Sequence, residues 1–288
     1  VFQVKEEHRK IATIVGNGLK IPAHAREKTL EAIESLSGIL TVHSDIGSRE
    51  SQLLDGDATP CFHLLPYQEG VKLEQLVRPF GEVGPYLRPG TGGETIMAVL
   101  EGERVQARRD LRLELRRGAE ALAALPVLAE REEEDGQWLL PAPESALELL
   151  VQLQALGDSI RVAWPQGARF KVRDQVGIRQ TRVNIRQAKD WFELEGTLTV
   201  NEGLTLDLQE LVKLMKDSSG RFVAVGENEY LALSTELKKR LEELASYAEP
   251  HGKGFRFHPL AAGIFEDLAR EAGECTTDQH WKDQLQRL

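Results

Sequence analysis

The stretch from Lys189 to Leu233, KDWFELEGTLTVNEGLTLDLQELVKLMKDSSGRFVAVGENEYLAL, constrains the fold more than any other part of the chain. Phe192, Leu194, Leu198 and Val200 fall on alternate positions, the period of a strand with one buried face, and Gly196 lies between Leu194 and Leu198. Asn201-Glu202-Gly203 supplies a turn, after which Leu204 and Leu206 resume the alternation. Asp207 and Glu210 have the spacing of a capping box, whose side chains accept hydrogen bonds from the free amides of a helix start. Leu208, Leu211, Val212 and Met215 recur at i, i+3, i+4 and i+7, which predicts a helix with one buried stripe. Ser218-Ser219-Gly220 ends it, and RFVAV and YLAL flank Gly226-Glu227-Asn228 as a hairpin. The expected order is strand, strand, helix, strand, strand, with Phe192 and Leu194 buried under the helix that carries Leu211 and Met215. Its polar residues have no catalytic character, so the stretch reads as scaffold.

The DWFELEG strand, the short helix, the SGRFVAVGENEYLAL hairpin and the Leu-rich helix after it resemble the helicase-associated region of bacterial Swi/Snf-family proteins. The resemblance continues through FHPLAAGIFEDL and HWKDQL, and reaches back to LVRPF, RPGTGG and ARRDLRLE. In that family the region directly precedes an ATP-driven, DNA-translocating motor. The resemblance therefore implies a non-catalytic accessory region that positions or regulates its own motor and contacts duplex DNA. ATP and Mg would belong to the motor and not to this chain. The other reading is a protein–protein adaptor that recruits the ATPase to a partner complex.

Strand and helix signals extend through the rest of the chain. FQVKEE and KIATIVG read as short strands, Pro22 starts a helix that ends at Gly38, and ILTVHS returns as a strand. GSRESQLLDGDAT reads as a loop. CFHLLPY, VKLEQLVRPF and TIMAVLEGERVQARRDLRLE are strand-rich, with a turn at Glu101-Gly102-Glu103, and a helix is expected around Arg116 to Leu125. EREEEDG is a charged surface loop. Ala146, Leu149, Leu150, Leu153 and Leu156 mark a helix from about Glu144 to Gly157. SIRVAW and ARFKV read as a hairpin around Pro165-Gln166-Gly167, and VGIRQ and RVNIR as two more strands. Ser234 caps a helix with Leu237, Leu241 and Leu244 inward and Glu236 paired with Arg240 at i,i+4. Glu249 to Phe257 reads as a loop, Pro259 opens a helix bearing Leu260, Ile264, Phe265 and Leu268, and Trp281, Leu285 and Leu288 mark a last one.

These signals predict an α+β fold of two or three subdomains, built from mainly antiparallel strands with packed helices and a helical C-terminal segment. The expected parts are a small α+β subdomain at 1–58, a strand-rich one at 59–135, a helix plus β-rich module at 136–233 and a helical segment at 234–288 leading to the motor. The start at Val1 and the helical end at Leu288 suggest a fragment of a longer protein. With 41% hydrophobic and 28% charged residues the chain has a globular composition. No run of about 20 apolar residues and no signal-peptide core is present, so a cytoplasmic, non-membrane protein is expected.

The sequence offers little chemistry. A phosphate loop needs GxxxxGK[ST], and Gly252-Lys253, the one Gly-Lys pair, is followed by Gly254. None of His8, His24, His43, His63, His251, His258 and His280 sits in HExxH or near a cysteine pair at zinc spacing. Cys61-Phe62-His63 puts two ligand types on one strand face, too few for a structural zinc site. There is no GxSxG elbow, and Glu132, Glu133, Glu134 and Asp135 read as a solvated run. No catalytic constellation and no metal site is expected.

One feature stands out against a net charge of -10: Arg161, Arg169, Lys171, Arg173, Arg179, Arg182, Arg186 and Lys189 are opposed in their stretch by Asp174 alone. Arg169, Lys171 and Arg173 alternate onto one strand face, where a row of cations could track phosphates. Equally, these side chains could pair with the acidic surface of their own chain. A second group, Arg104, Arg108, Arg109, Arg112, Arg116 and Arg117, is diluted by Asp110 and Glu114. Trp164 and Phe170, interleaved with the first group, suit hairpin core better than base stacking. Trp191 points away from Phe192 and Leu194, so it and Trp281 are the candidates for docking against a neighbouring subdomain or the motor.

Overall fold

The computed structural model describes residues 6–15, 20–37, 42–44, 52–100, 103–216, 218 and 220–287. In chain order its elements are α1 (Glu6–Val15), α2 (Arg26–Ser37), β1 (Val42–Ser44), β2 (Gln52–Asp55), β3 (Pro60–Tyr67), β4 (Gly70–Val77), β5 (Thr95–Leu100), β6 (Glu103–Arg108), α3 (Leu111–Ala123), β7 (Glu133–Glu134), β8 (Gln137–Leu140), α4 (Pro143–Ala155), β9 (Arg161–Ala163), β10 (Lys171–Val176), β11 (Thr181–Ala188), β12 (Trp191–Asn201), β13 (Leu204–Asp207), α5 (Leu208–Lys216), β14 (Phe222–Gly226), β15 (Glu229–Leu233), α6 (Thr235–Tyr247), β16 (Glu249–His251), β17 (Gly254–Phe257), α7 (Ala262–Glu271), β18 (Glu274–Thr277) and α8 (Gln279–Leu285). The fold is α+β. Two compact units divide it: Val1–Leu65, Lys72–Leu139 and Ala155–Pro165 form the first, and Pro66–Val71, Leu140–Gln154 and Gln166–Leu288 the second. No helix among the described residues is long and apolar enough to cross a membrane.

In the first unit, β1, β5, β6 and β2 make a sheet in that order, with β5 and β6 antiparallel and β2 parallel to β6. Phe80, Ile96, Ala98 and Ala107 are its core. A second sheet runs β7-β8-β4-β3-β9, with β9 parallel to β3. Asp110 caps α3 by accepting a hydrogen bond from the Leu113 amide. Arg109 and Glu114, both buried, then form a two-pronged ion pair with N···O distances of 2.8 and 2.6 Å. The remaining bonding capacity of this pair is used as well. Arg109 donates to the Thr91 and Arg88 carbonyls, and the Gly90 amide donates to Glu114. A buried ion pair is tolerable only when its groups are satisfied in this way. It fixes the 88–91 loop to α3.

The second unit is organised by β12. One of its edges pairs with β11 from Trp191 to Leu198. Its other edge pairs first with β17, at Phe192–Leu194, and then with β13 from Thr197 onward. Gly196 lies at that changeover, where a Cβ would sit 2.6 Å from a Leu208 methyl and 2.9 Å from the Arg182 carbonyl. Only glycine lets α5 begin this close to the sheet. Beneath the other end of β12, Phe192 stacks on Phe257 with centroids 5.8 Å apart and meets Trp281 edge-on at 5.4 Å. Phe257 in turn packs on Phe265 at 4.5 Å. A separate three-stranded sheet, β10-β15-β14, has β10 parallel to β15. Arg221 ties this sheet to α4 through a two-pronged pair with Glu148 at 3.0 and 3.1 Å.

Several expectations are corrected. KIATIVG lies mainly in α1 and not in a strand, and the expected 47–59 loop contains β2. SIRVAW and ARFKV form no hairpin, because β9 pairs with β3 while β10 pairs with β15. In VGIRQ the strand ends at Val176, and Ile178–Gln180 is a 3-10 turn. The helix expected from Arg116 starts at Leu111, directly after its Asp110 cap. The expected 249–257 loop is the β16–β17 hairpin, and Leu260 is 74% exposed instead of inward. Phe192 and Leu194 are buried in one core with Leu211 and Met215, as expected, and Phe192 also meets rings of β17 and α8. Arg240 does not pair with Glu236. It is buried, and clasps α6 to α7 through Glu243 at 3.0 Å, Asp267 at 2.9 Å and Glu271 at 3.0 Å. Those carboxylates hold its charge more firmly than a lone guanidinium's, Glu271 contributing most. The interhelical geometry offers three acceptors to the guanidinium, which outweighs one exposed pair along the helix.

Phe192→Ala is expected to lower stability by about 3–5 kcal/mol, and Trp281→Ala by a similar amount. Because the rings touch, the double variant should lose less than the sum, measured by denaturant unfolding. Arg240→Met should cost about 1–3 kcal/mol at neutral pH, because three carboxylates are left facing one another. That deficit should shrink as pH falls through the carboxylate range; a pH-independent deficit would assign it to packing alone.

Candidate nucleic-acid interface

The strand pattern that exposes the predicted cations also fixes what lies beside them. In β11, Arg182 and Arg186 alternate with buried Val183 and Ile185, so both arginines reach the outer face of the sheet. Alternation in β12 sends Glu193 and Glu195 to that same face. Across the strands, register places Glu249, Arg256, Glu193 and Arg186 in one row of alternating charge. Glu249 meets Arg256 at 2.8 Å, and Arg186 meets Glu193 at 3.0 Å and Glu195 at 3.7 Å. At the next strand Arg182 meets Glu274 at 3.2 Å, its neighbour in the parallel pairing with β18.

The row of Arg169, Lys171 and Arg173 is divided among three tasks. Arg169 donates to the Gln68 and Gly70 carbonyls, lies 3.6 Å from Glu69 and rests over the Phe170 ring. Lys171 and Arg173 share Glu229, at 3.7 and 2.6 Å, because β15 is the parallel neighbour of β10. Arg161 belongs to the first unit, where it pairs with Asp57 at 2.7 Å. Burial pushes the Asp57 carboxyl up, but hydrogen bonds from Thr59 and Arg161 outweigh it and hold the group below the usual range. Among the described residues Arg179 and Lys189 are the members of this stretch with no ion pair. In the second unit, then, five of the seven cations of this stretch (Arg169, Lys171, Arg173, Arg182, Arg186) face five carboxylates (Glu69, Glu229, Glu274, Glu193, Glu195). A phosphate arriving here meets a nearly neutral surface.

Trp191 turns away from the core as its position implies. Its half-buried ring carries the Arg256 guanidinium 5.1 Å from the centroid and meets His258 edge-on at 5.8 Å. Arg256 was missed because 249–257 reads as loop in the sequence, and His258, next along the chain, because the sequence raises it only as a metal ligand. Trp281, at 2% exposure, packs against Phe192 and Phe257, so it joins the 234–288 segment to the sheet within one core and presents no exposed ring. Phe170 is buried against Tyr230, without the hairpin expected around it. Cys61 and His63 are both buried in β3; burial pushes the thiol up and the imidazole down, so both are held neutral. Among the described residues no three His, Cys, Asp or Glu side chains converge as a metal site.

Because the 169–173 row is neutralised by its own neighbours, replacing Arg169, Lys171 and Arg173 together by Gln should change the slope of log affinity for duplex DNA against log salt by less than about 1. A free row would lose about 0.9 per phosphate contact. A slope reduced by about 2–3 would show that these side chains leave Glu229 and the Gln68–Gly70 turn to bind phosphate. No protein-family model, curated protein or solved structure matches this chain.

Proposed function

We propose that this chain is a non-catalytic accessory region of a bacterial Swi/Snf-type ATP-dependent DNA translocase, which positions or regulates the motor. The observation that carries the reading is the convergence of the strings that carry the resemblance. DWFELEG, the RFVAV–YLAL hairpin, FHPLAAGIFEDL and HWKDQL lie far apart in the chain, yet Phe192, Val223, Leu231, Phe257, Phe265 and Trp281 belong to one hydrophobic core. These strings thus share one core in the second unit, while LVRPF, RPGTGG and ARRDLRLE lie in the first. The pairing of the 161–189 cations within the chain favours a role exercised through protein contact, either with the motor or, in the adaptor reading, with a partner complex. Trp191, with Arg256 and His258, is the candidate contact point on the outer face.

The test adds the purified chain in trans to the motor of its parent protein and measures DNA-stimulated ATP turnover and association. The chain alone should turn over no ATP. Its addition should shift the DNA concentration for half-maximal turnover by about fivefold or more, the low end of ordinary coupling between sites. Trp191→Ala should weaken association by about 2 kcal/mol, as loss of a central aromatic anchor does. Unchanged turnover with no association would refute the accessory role. Association with unchanged turnover would favour the adaptor.

A further inference from the structure

Gly252-Lys253, the Gly-Lys pair that fails the phosphate-loop pattern, lies at the turn of the β16–β17 hairpin. That hairpin and α5 wall a cleft of about 550 Å³, a volume in the range of small-molecule sites. The two walls are fixed in place. Gln209, in the first turn of α5, donates to the Gly254 carbonyl at 2.8 Å. A Cβ on Gly254 would lie 2.2 Å from the Leu194 carbonyl, so glycine alone lets the hairpin stand this close to β12. Val212, Pro250 and Phe255 give the cleft its apolar lining.

Three ammonium groups enter the same cleft from its two walls. Gln209, Lys213 and Lys216 recur at i, i+4 and i+7 and share one face of α5, which the Gln209 bond turns toward the hairpin. Lys253 stands on the opposite wall, next to the bonded Gly254. All three lysines are exposed, and among the described residues none of them forms an ion pair. Elsewhere in the second unit exposed Lys171, Arg182, Arg186 and Arg270 each have a carboxylate partner. The α5 dipole accounts for Lys213 and Lys216, which lie in its last turn. It does not account for Lys253, which the hairpin carries from a remote part of the chain to meet like charges. An anion between the walls would relieve that arrangement.

Two exposed carboxylates, Asp207 and Glu210, also line the cleft, at the start of α5, and among the described residues they pair with none of the three lysines. They make the cleft a poor trap for a bare anion. A molecule with an anion at one end and hydrogen-bond donors at the other would use both sets. From Asp207 to Lys213 the helix advances about 9 Å, a span that a phosphorylated sugar covers. Lysine binds phosphate as a point charge and can approach a tetrahedral dianion from several sides, whereas a planar carboxylate is better met by the fork of an arginine.

We propose that this cleft binds a small hydroxyl-bearing phosphate ester of the sugar-phosphate class. Lys213, Lys216 and Lys253 hold the phosphate, Asp207 and Glu210 accept hydrogen bonds from the hydroxyls, and Val212 and Pro250 take the carbon face. Binding here involves neither the motor nor Trp191, so its failure would leave the accessory role untouched.

The test is isothermal titration of the whole chain with glucose 6-phosphate, ribose 5-phosphate and glycerol 3-phosphate, beside inorganic phosphate and the unphosphorylated parents. At least one ester should bind tenfold or more tighter than inorganic phosphate and than its own parent. Lys213→Gln with Lys253→Gln should weaken that binding by about tenfold per lost ammonium, with the thermal unfolding midpoint unchanged. Lys189→Gln with Lys282→Gln removes two unpaired cations outside the cleft and should leave binding alone. Glu210→Gln should weaken the ester and tighten inorganic phosphate, because it removes a hydroxyl acceptor and a repelling charge together. Binding by none of the three esters at low salt would overturn the proposal, as would inorganic phosphate matching the best ester or equal loss in both double variants.

Discussion

The second unit depends on the backbone of β12. A strand this long must have the hydrogen-bonding groups of both edges paired, and β12 achieves this with three partners from three parts of the chain. The changeover from β17 to β13 on one edge is possible because Gly196 has no side chain to keep Leu208 and α5 away. Near one end of the strand, Phe192 anchors the ring cluster of Phe257, Trp281 and Phe265; towards the other, Leu198 and Val200 enter the same core as α5. The sheet has one apolar face and one charged face because β12 alternates without interruption from Phe192 to Val200.

Two buried arginines do comparable work in different settings. Arg109 is closed off with a single carboxylate and two carbonyls, which fixes a loop to a helix. Arg240 gathers three carboxylates from α6 and α7, which fixes two helices to each other. In each case the cost of removing a guanidinium from water is offset by several charge-assisted hydrogen bonds, and the geometry is specified more sharply than packing alone would do. Exposed pairs such as Arg182 with Glu274 contribute far less to stability, but they decide the charge that an approaching partner meets.

Charge in this chain is therefore distributed by the fold and not by the local count of residues. The stretch with the highest density of cations presents a nearly neutral surface, since β15, β12 and β18 bring Glu229, Glu193, Glu195 and Glu274 beside it. In the stretch that looks balanced in the sequence, Glu114 turns inward onto Arg109, and among the described residues Arg112, Arg116 and Arg117 form no ion pair while Asp110 stays exposed.

What the sequence by itself determined is which face the side chains of the strongly periodic segments take. The alternation of Phe192, Leu194, Leu198 and Val200, the stripe of Leu208, Leu211 and Val212, and the Ser234 cap with Leu237, Leu241 and Leu244 beneath it all follow from periods of two and 3.6 residues. The outward turn of Trp191 is legible for the same reason. The tertiary structure alone decided which elements meet. Parallel pairing of β10 with β15 and of β11 with β18, the burial of Trp281 under β12, and the choice of Glu271 over Glu236 by Arg240 join residues remote in sequence. Period fixes a face, but an ion pair or a ring contact is fixed by distance in space. The charge that a face finally carries is set by neighbours that the local sequence does not contain.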